Sequence, residues 1–178
     1  MSETKTYLFT GLQIVAWIIF VGLCIEAGAL LVNFVFSLIK PEFVQNLYQK
    51  LDLSLVYTRS KWAYFSMYSF ILVIAFLKAY LFYVVVMLVT KLDLAKPFNG
   101  LVAGQINQIS YYTFSIGLVS YIARESAQNL ANRGYVMDNL NSFWADSQAF
   151  ILMAAVLYII ASIFQKGVDL QHENDLTV

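Results

Sequence analysis

Residues 12–39 read LQIVAWIIFVGLCIEAGALLVNFVFSLI, an apolar run interrupted by one carboxylate, Glu26, and the amides Gln13 and Asn33. A hydrocarbon core about 30 Å thick needs about 20 predominantly apolar residues per helical crossing. The run is longer than that, so it crosses with tilt. It begins after Lys5 in the manner of a secretory leader, and Ala27-Gly28-Ala29 offers a small-residue cleavage pattern. The apolar residues continue well beyond that pattern, as a cleaved leader would not, so the segment is expected to stay as a helix. Lys40 and Pro41 close it.

Three further segments follow the same logic. Trp62, Tyr64 and Phe65 open a run to about residue 90 in the manner of an interfacial aromatic belt. A third run, about 106–130, is less apolar, but Ser110, Thr113, Gly117, Ser120, Arg124, Ala127 and Ala131 recur at steps of three and four. That spacing draws a small and polar stripe along one helix face, which is expected to pack inward. Phe143-Trp144 look like a second aromatic belt before the last run, about 147–165. Between the first two spans, Phe43, Val44, Leu47, Tyr48 and Leu51 alternate at helical spacing with Glu42, Gln45, Gln49 and Lys50, which predicts a short helix lying in the interface. The connector KLDLAKPFNG (91–100) carries Pro97 and Asn99-Gly100 and cannot continue a helix. The expectation is one all-α membrane domain over 1–178, a four-transmembrane-helix bundle with an interfacial helix between its first and second spans and a soluble tail at 166–178.

Composition excludes several functions. Of 178 residues, 60% are hydrophobic and 12% charged, against about 25% charged in soluble domains. Eleven basic and eleven acidic residues cancel without forming a basic block, so direct nucleic-acid binding is not expected. Cys24 is the only cysteine, which rules out an intramolecular disulfide or dithiol couple. His172 is the only histidine and stands in the tail, so no pair of intramembrane imidazoles exists to ligate haem or a metal. No Ser-His, Cys-His, paired Asp or His-x-x-x-Glu set appears at membrane depth, so neither a cofactor nor enzymatic activity is expected.

The remaining signals are charges. Glu26 and Lys78 fall near the middle of the first and second spans, at similar depth if these helices are antiparallel neighbours. One reading is a buried pair that fixes register; the other is a carboxylate that binds a proton, an ion or a cationic solute, its pKa set by Lys78. Glu26 shares a face with Gly22, Ala29, Asn33 and Ser37, which is expected to oppose another helix. Arg124 and Glu125 lie near the far interface of the third span, where a snorkelling role and a site-lining role both fit. Orientation is not fixed by charge, since Lys5, Lys91, Lys96 and Lys166 on the side of the termini face Lys40, Lys50, Arg59, Lys61 and Arg133 opposite.

The stretch KLDLAKPF (91–98) and the ending FQKGVDLQHENDLTV (164–178) resemble the two signature segments of a bacterial membrane family catalogued as domain of unknown function 2975. The resemblance covers nearly the whole chain in span number and loop order; its specific parts are the Asp-x-x-x-Pro-Phe connector and the Glu-Asn-Asp-Leu-Thr-Val tail. It implies a multi-pass protein of the bacterial inner membrane, termini in the cytoplasm, encoded beside a very small helix-turn-helix regulator that is a candidate partner. Asp93, Pro97, Phe98, Glu173, Asn174, Asp175, Leu176 and Thr177 would then lie on one membrane face. There the tail either folds back on the connector as a short strand or helix cap, or offers Leu176, Thr177 and Val178 to a partner as a β-prone edge. The expected function is a non-enzymatic membrane regulator or anchor. The alternatives are a small proton- or ion-coupled transporter using Glu26 and an accessory subunit of a larger membrane complex; the lipid bilayer is an expected partner and a homo-oligomer is compatible.

Overall fold

A computed structural model of the chain describes residues 3–40, 42, 44, 47, 48, 52–92, 98–137 and 140–176, with the side chains of 3–6, 8, 172 and 174–176 outside the description. The described chain is all helical: α1 (Glu3–Ile39), α2 (Ser54–Arg59), α3 (Lys61–Lys91), α4 (Gly100–Asn132) and α5 (Ser147–Leu176). Three stretches are long and apolar enough to cross a membrane, Phe9–Ile39, Lys61–Lys91 and Ser147–Gln171. Three of the helix starts have a local cause. Ser60 is extended (φ −158°) and its hydroxyl accepts from the Ala63 N–H; Asn99 Oδ1 accepts from Leu101 N–H at 2.7 Å; Asp146 Oδ1 accepts from Ala149 N–H at 3.2 Å. These side chains satisfy donors that a helix start leaves without intrahelical partners. At the end of α4, Gly134 (φ +82°) takes the left-handed conformation, and Gly134 and Tyr135 N–H groups return to the carbonyls of Ala131 and Leu130. This is a Schellman ending, which needs a residue without a Cβ penalty.

The long helices pack in chain order, each antiparallel to the one before. Between α1 and α3, Gln13 Nε2 donates to Val89 O (3.2 Å), Phe20 meets Tyr83 (6.0 Å between rings), Tyr68 donates to Leu30 O (3.0 Å) and Phe34 meets Phe65 (6.0 Å). Numbers rise on one helix as they fall on the other. Helix α4 then packs on both α3 and α5, most extensively on α5. Its stripe is the contact: Ser110, Thr113, Ser120 and Ala127 are buried, and Ser110 Oγ donates to Ala154 O at 2.9 Å. A Cβ on Gly117 would stand 2.9 Å from the Ile151 side chain and 3.1 Å from its backbone nitrogen. Arg124 and Ala131, which continue the same spacing, are exposed.

At the end opposite the termini the described residues of the connectors build a cap on α3. Val44, Leu47, Leu53 and Val56 from one loop and Met137, Leu140 and Phe143 from the other bury against Tyr64, Met67, Tyr68 and Ile71 of α3. Among the described residues of the amphipathic stretch, Val44 and Leu47 are buried against the bundle end, and the expected interfacial helix is not seen there. Among the described residues of this loop the only α-helical part is the six-residue α2, because the loop's apolar side chains meet the bundle end and gain more burial there than by lying flat. Tyr64 is 0% exposed and Phe143 7%, so of the residues expected in aromatic belts only Trp62, 86% exposed, faces outward. In the cap, Asp52 Oδ1 accepts from Ser54 N–H at 2.8 Å. Hydrogen bonds from the Ser54 side chain and backbone hold this carboxyl below its ordinary range, so their contribution is present at neutral pH and is lost as pH falls through the lowered value.

Gly117→Val is expected to cost about 1–3 kcal/mol of stability, because the Ile151 backbone cannot move aside as a side-chain tip can. Gly104→Ala, where an added Cβ meets nothing within 4 Å, serves as its neutral control. Reversible unfolding in mixed detergent measures both, and equal stabilities for the two variants would contradict the seam.

Candidate functional site

The two central charges are brought to one depth but not together. By the α1–α3 register, Glu26 lies level with residues 72–77, within about one turn of Lys78. Both are half-buried, and no salt bridge joins them among the described residues. The reason is rotation. The line of α1 that faces α3 runs through Phe20, Ala27, Leu30 and Phe34, and at about 100° per residue Glu26 stands roughly a quarter-turn away from it. Of the expected stripe, Ser37 is buried, Glu26, Ala29 and Asn33 are half-buried, and Gly22 is exposed, with nothing within 4 Å of where a Cβ would stand. The stripe is thus an edge of the α1–α3 contact and not its centre.

Arg124 and Glu125 are exposed at the cap end of α4. Arg124 lines an open polar recess of about 590 Å³ with Asn141, Trp144, Ala145, Asp146 and Gln148, and Glu125 is not among its walls. The larger cavity, about 710 Å³, is an open aromatic groove walled by Phe20, Val73, Phe76, Tyr80, Tyr83 and Tyr112, and it contains no charged side chain. Its breadth follows from α3 holding α1 and α4 apart.

The connector and the tail meet, though not as a folded-back strand. Helix α5 runs without a break to Leu176, so residues 166–176 are a helical projection and not a loose tail; an in-line helix leaves Leu176 no extended edge. Val168 is 7% exposed, and Gln165 Nε2 donates to Asp169 Oδ1 at 3.1 Å across one turn. Phe98 lies over this root: its ring is 5.5 Å from Phe164, and a Cβ on Gly167 would collide with it. Gly167 is the gap that the phenylalanine fills. Glu173 is exposed on the projecting part; Asn174, Asp175 and Leu176 share its helix by backbone, while Asp93, Pro97 and Thr177 lie outside the described residues. Among the described residues no group of three or more His, Cys, Asp or Glu is placed to hold a metal.

Arg59 was not signalled by spacing, yet it ties the two halves of the cap. Its guanidinium donates to Gly134 O and Arg133 O at 2.5 and 2.8 Å and lies 4.3 Å from the centre of the Tyr135 ring. Carbonyls at a helix end attract a cation, and the fork geometry of arginine reaches two of them at once. Nothing within the local sequence announces a bond across more than seventy residues. No family model, no curated protein and no solved structure matches this chain.

Arg59→Lys is expected to loosen the cap, since a single ammonium cannot hold both carbonyls and the ring together. Amide exchange over residues 133–137 reads the effect and is expected to rise several-fold while exchange in the middle of α3 stays unchanged. Phe98→Ala is expected to do the same for residues 164–170 only. Exchange that rises uniformly in either variant would show that the contact is not local.

Proposed function

We propose that the chain is a non-enzymatic regulator or anchor of the bacterial inner membrane, crossing it four times, with the projecting end of α5 and the Phe98 connector as its working surface in the cytoplasm. The observation that carries this reading is the unbroken run of α5 from its apolar part into an exposed helix bearing Asp169, Leu170 and Glu173, its root held by Phe98 on Gly167. A rigid helix that leaves the bilayer in fixed direction presents side chains at i, i+3 and i+4 to a soluble partner with little ordering cost. The resemblance of the connector and tail supplies the kind of partner, a small DNA-binding regulator.

The fourth crossing is assigned to α4. Several of its hydroxyls are turned onto α5 or back onto its own carbonyls, as Ser110 Oγ is on Ala154 O at 2.9 Å and Thr113 Oγ1 on Ile109 O at 2.7 Å. Tyr111, Phe114, Leu118, Tyr121 and Ile122 remain as an outward apolar face. A helix whose polar stripe is covered needs less overall hydropathy to cross.

Transport through Glu26 is the second reading, supported by the carboxylate having no ion-pair partner among the described residues. The aromatic cavity of about 710 Å³, however, is not lined by Glu26. An accessory role in a larger membrane complex uses the same exposed surfaces.

The test is affinity isolation of the native chain in mild detergent beside a variant ending after Gln171, which keeps Phe98 and Gly167 in contact. A soluble DNA-binding protein is expected with the full chain and at least about tenfold less of it with the shortened one. Equal recovery with both removes α5 from the interaction, and proton release on adding organic cations, lost in Glu26→Gln, would move the assignment to transport.

A further inference from the structure

Glu26 and Lys78 share more than depth. Within about 20° of Lys78 around α3 stand Met67 and Ile71, both buried beneath the cap. Within about 20° of Glu26 around α1 stands Ser37, 0% exposed, next to the chain that enters the cap. In an antiparallel pair, those rotations turn both charges to the same flank of the bundle, the one the cap covers nearer the membrane surface. Below the cap, that flank carries an acid, a base, Asn33 and an exposed Gly22 with open space around it. No ion pair within the chain uses either charge among the described residues.

A charge facing hydrocarbon at this depth costs about 2.5–3.5 kcal/mol on insertion scales, so unpaired acids and bases there find partners. A two-fold axis along the membrane normal keeps every residue at its own depth while exchanging the two copies. Because Glu26 and Lys78 lie within about one turn of each other in depth, that operation brings Glu26 of each copy within side-chain reach of Lys78 of the other, twice over. Small and open positions such as Gly22 permit the close helix approach that such a contact needs. We infer that this flank is a self-association surface, and that the chain forms a two-fold dimer in the membrane closed by reciprocal Glu26–Lys78 ion pairs. Only α1 and α3 have to cross the bilayer for this, so it does not depend on the regulator assignment.

The experiment is energy transfer between copies labelled at their N-termini, in vesicles of phosphatidylethanolamine and phosphatidylglycerol, over a range of protein-to-lipid ratios. The unmodified chain is expected to give transfer that persists on dilution. Glu26→Lys alone places lysine against lysine, and Lys78→Glu alone places glutamate against glutamate. Each is expected to weaken self-association about tenfold or more, as both symmetry-related pairs are lost together. In a mixed dimer of the two single variants, one contact joins the native Glu26 to the native Lys78 and the other joins the two substituted side chains, again a base against an acid. Transfer between unlike copies is therefore expected to recover. A pair formed within one chain cannot be rescued by mixing. Glu26→Gln and Lys78→Met, which leave like charges nowhere opposed, are expected to weaken the dimer without loss of helix content by circular dichroism. The inference is overturned if the unmodified chain is monomeric at every ratio, if the neutral variants associate as it does, or if the mixture gives no more transfer than the single variants.

Discussion

The seam between α4 and α5 is the contact on which the arrangement of the other helices depends. Helix α4 carries more polar side chains than its neighbours, and it can lie among apolar helices only if those groups are covered. Gly117 lets the backbone of α5 come close, and Ser110 then reaches the Ala154 carbonyl. With one face so occupied, α4 meets α3 through Ile109 and Ile116 against Leu81 and Val84. Helix α3 is left in the middle, with α1 on its far side and aromatic rings lining the open groove between α1 and α4. Close packing at Gly117 and the Ser110 hydrogen bond hold this contact together.

The two ends of the bundle are built on different principles. The cap end closes two loops over α3, with apolar burial inside and one guanidinium tying the loops outside. Arg59 is exposed, and its value lies in joining distant carbonyls in one geometry more than in Coulomb energy, which solvent screens. The opposite end keeps its helix extended, with the Phe98 ring packed on Gly167 and Phe164 at its root. One end is thus closed by loops, and the other carries the helical extension of α5.

Much of this could be read from residue types alone. The apolar runs, Pro97 with Asn99-Gly100, and the three- and four-residue spacing of small residues in α4 each report a local cause: water exclusion, a forbidden hydrogen bond, a helix period. The amphipathic stretch after Pro41 is ambiguous in sequence, since its period is equally satisfied by a surface helix and by short turns folded onto a bundle end. Phe143 and Trp144 were open to the same ambiguity, because an aromatic pair beside a span suits either an interface or a core.

The amino-acid sequence by itself determined that the chain is helical, that apolar segments of membrane length recur along it, where helices break, and that an acid and a base each fall near the middle of such a segment. Only the tertiary structure decided that Glu26 and Lys78 stand apart without pairing, that Arg59 finds carbonyls beyond α4, and that Phe98 closes on Gly167. Depth follows from residue number along a helix axis, which is fixed at about 1.5 Å per residue. Rotation about that axis is set by which faces of neighbouring helices fit, and that is a property of the whole packed set.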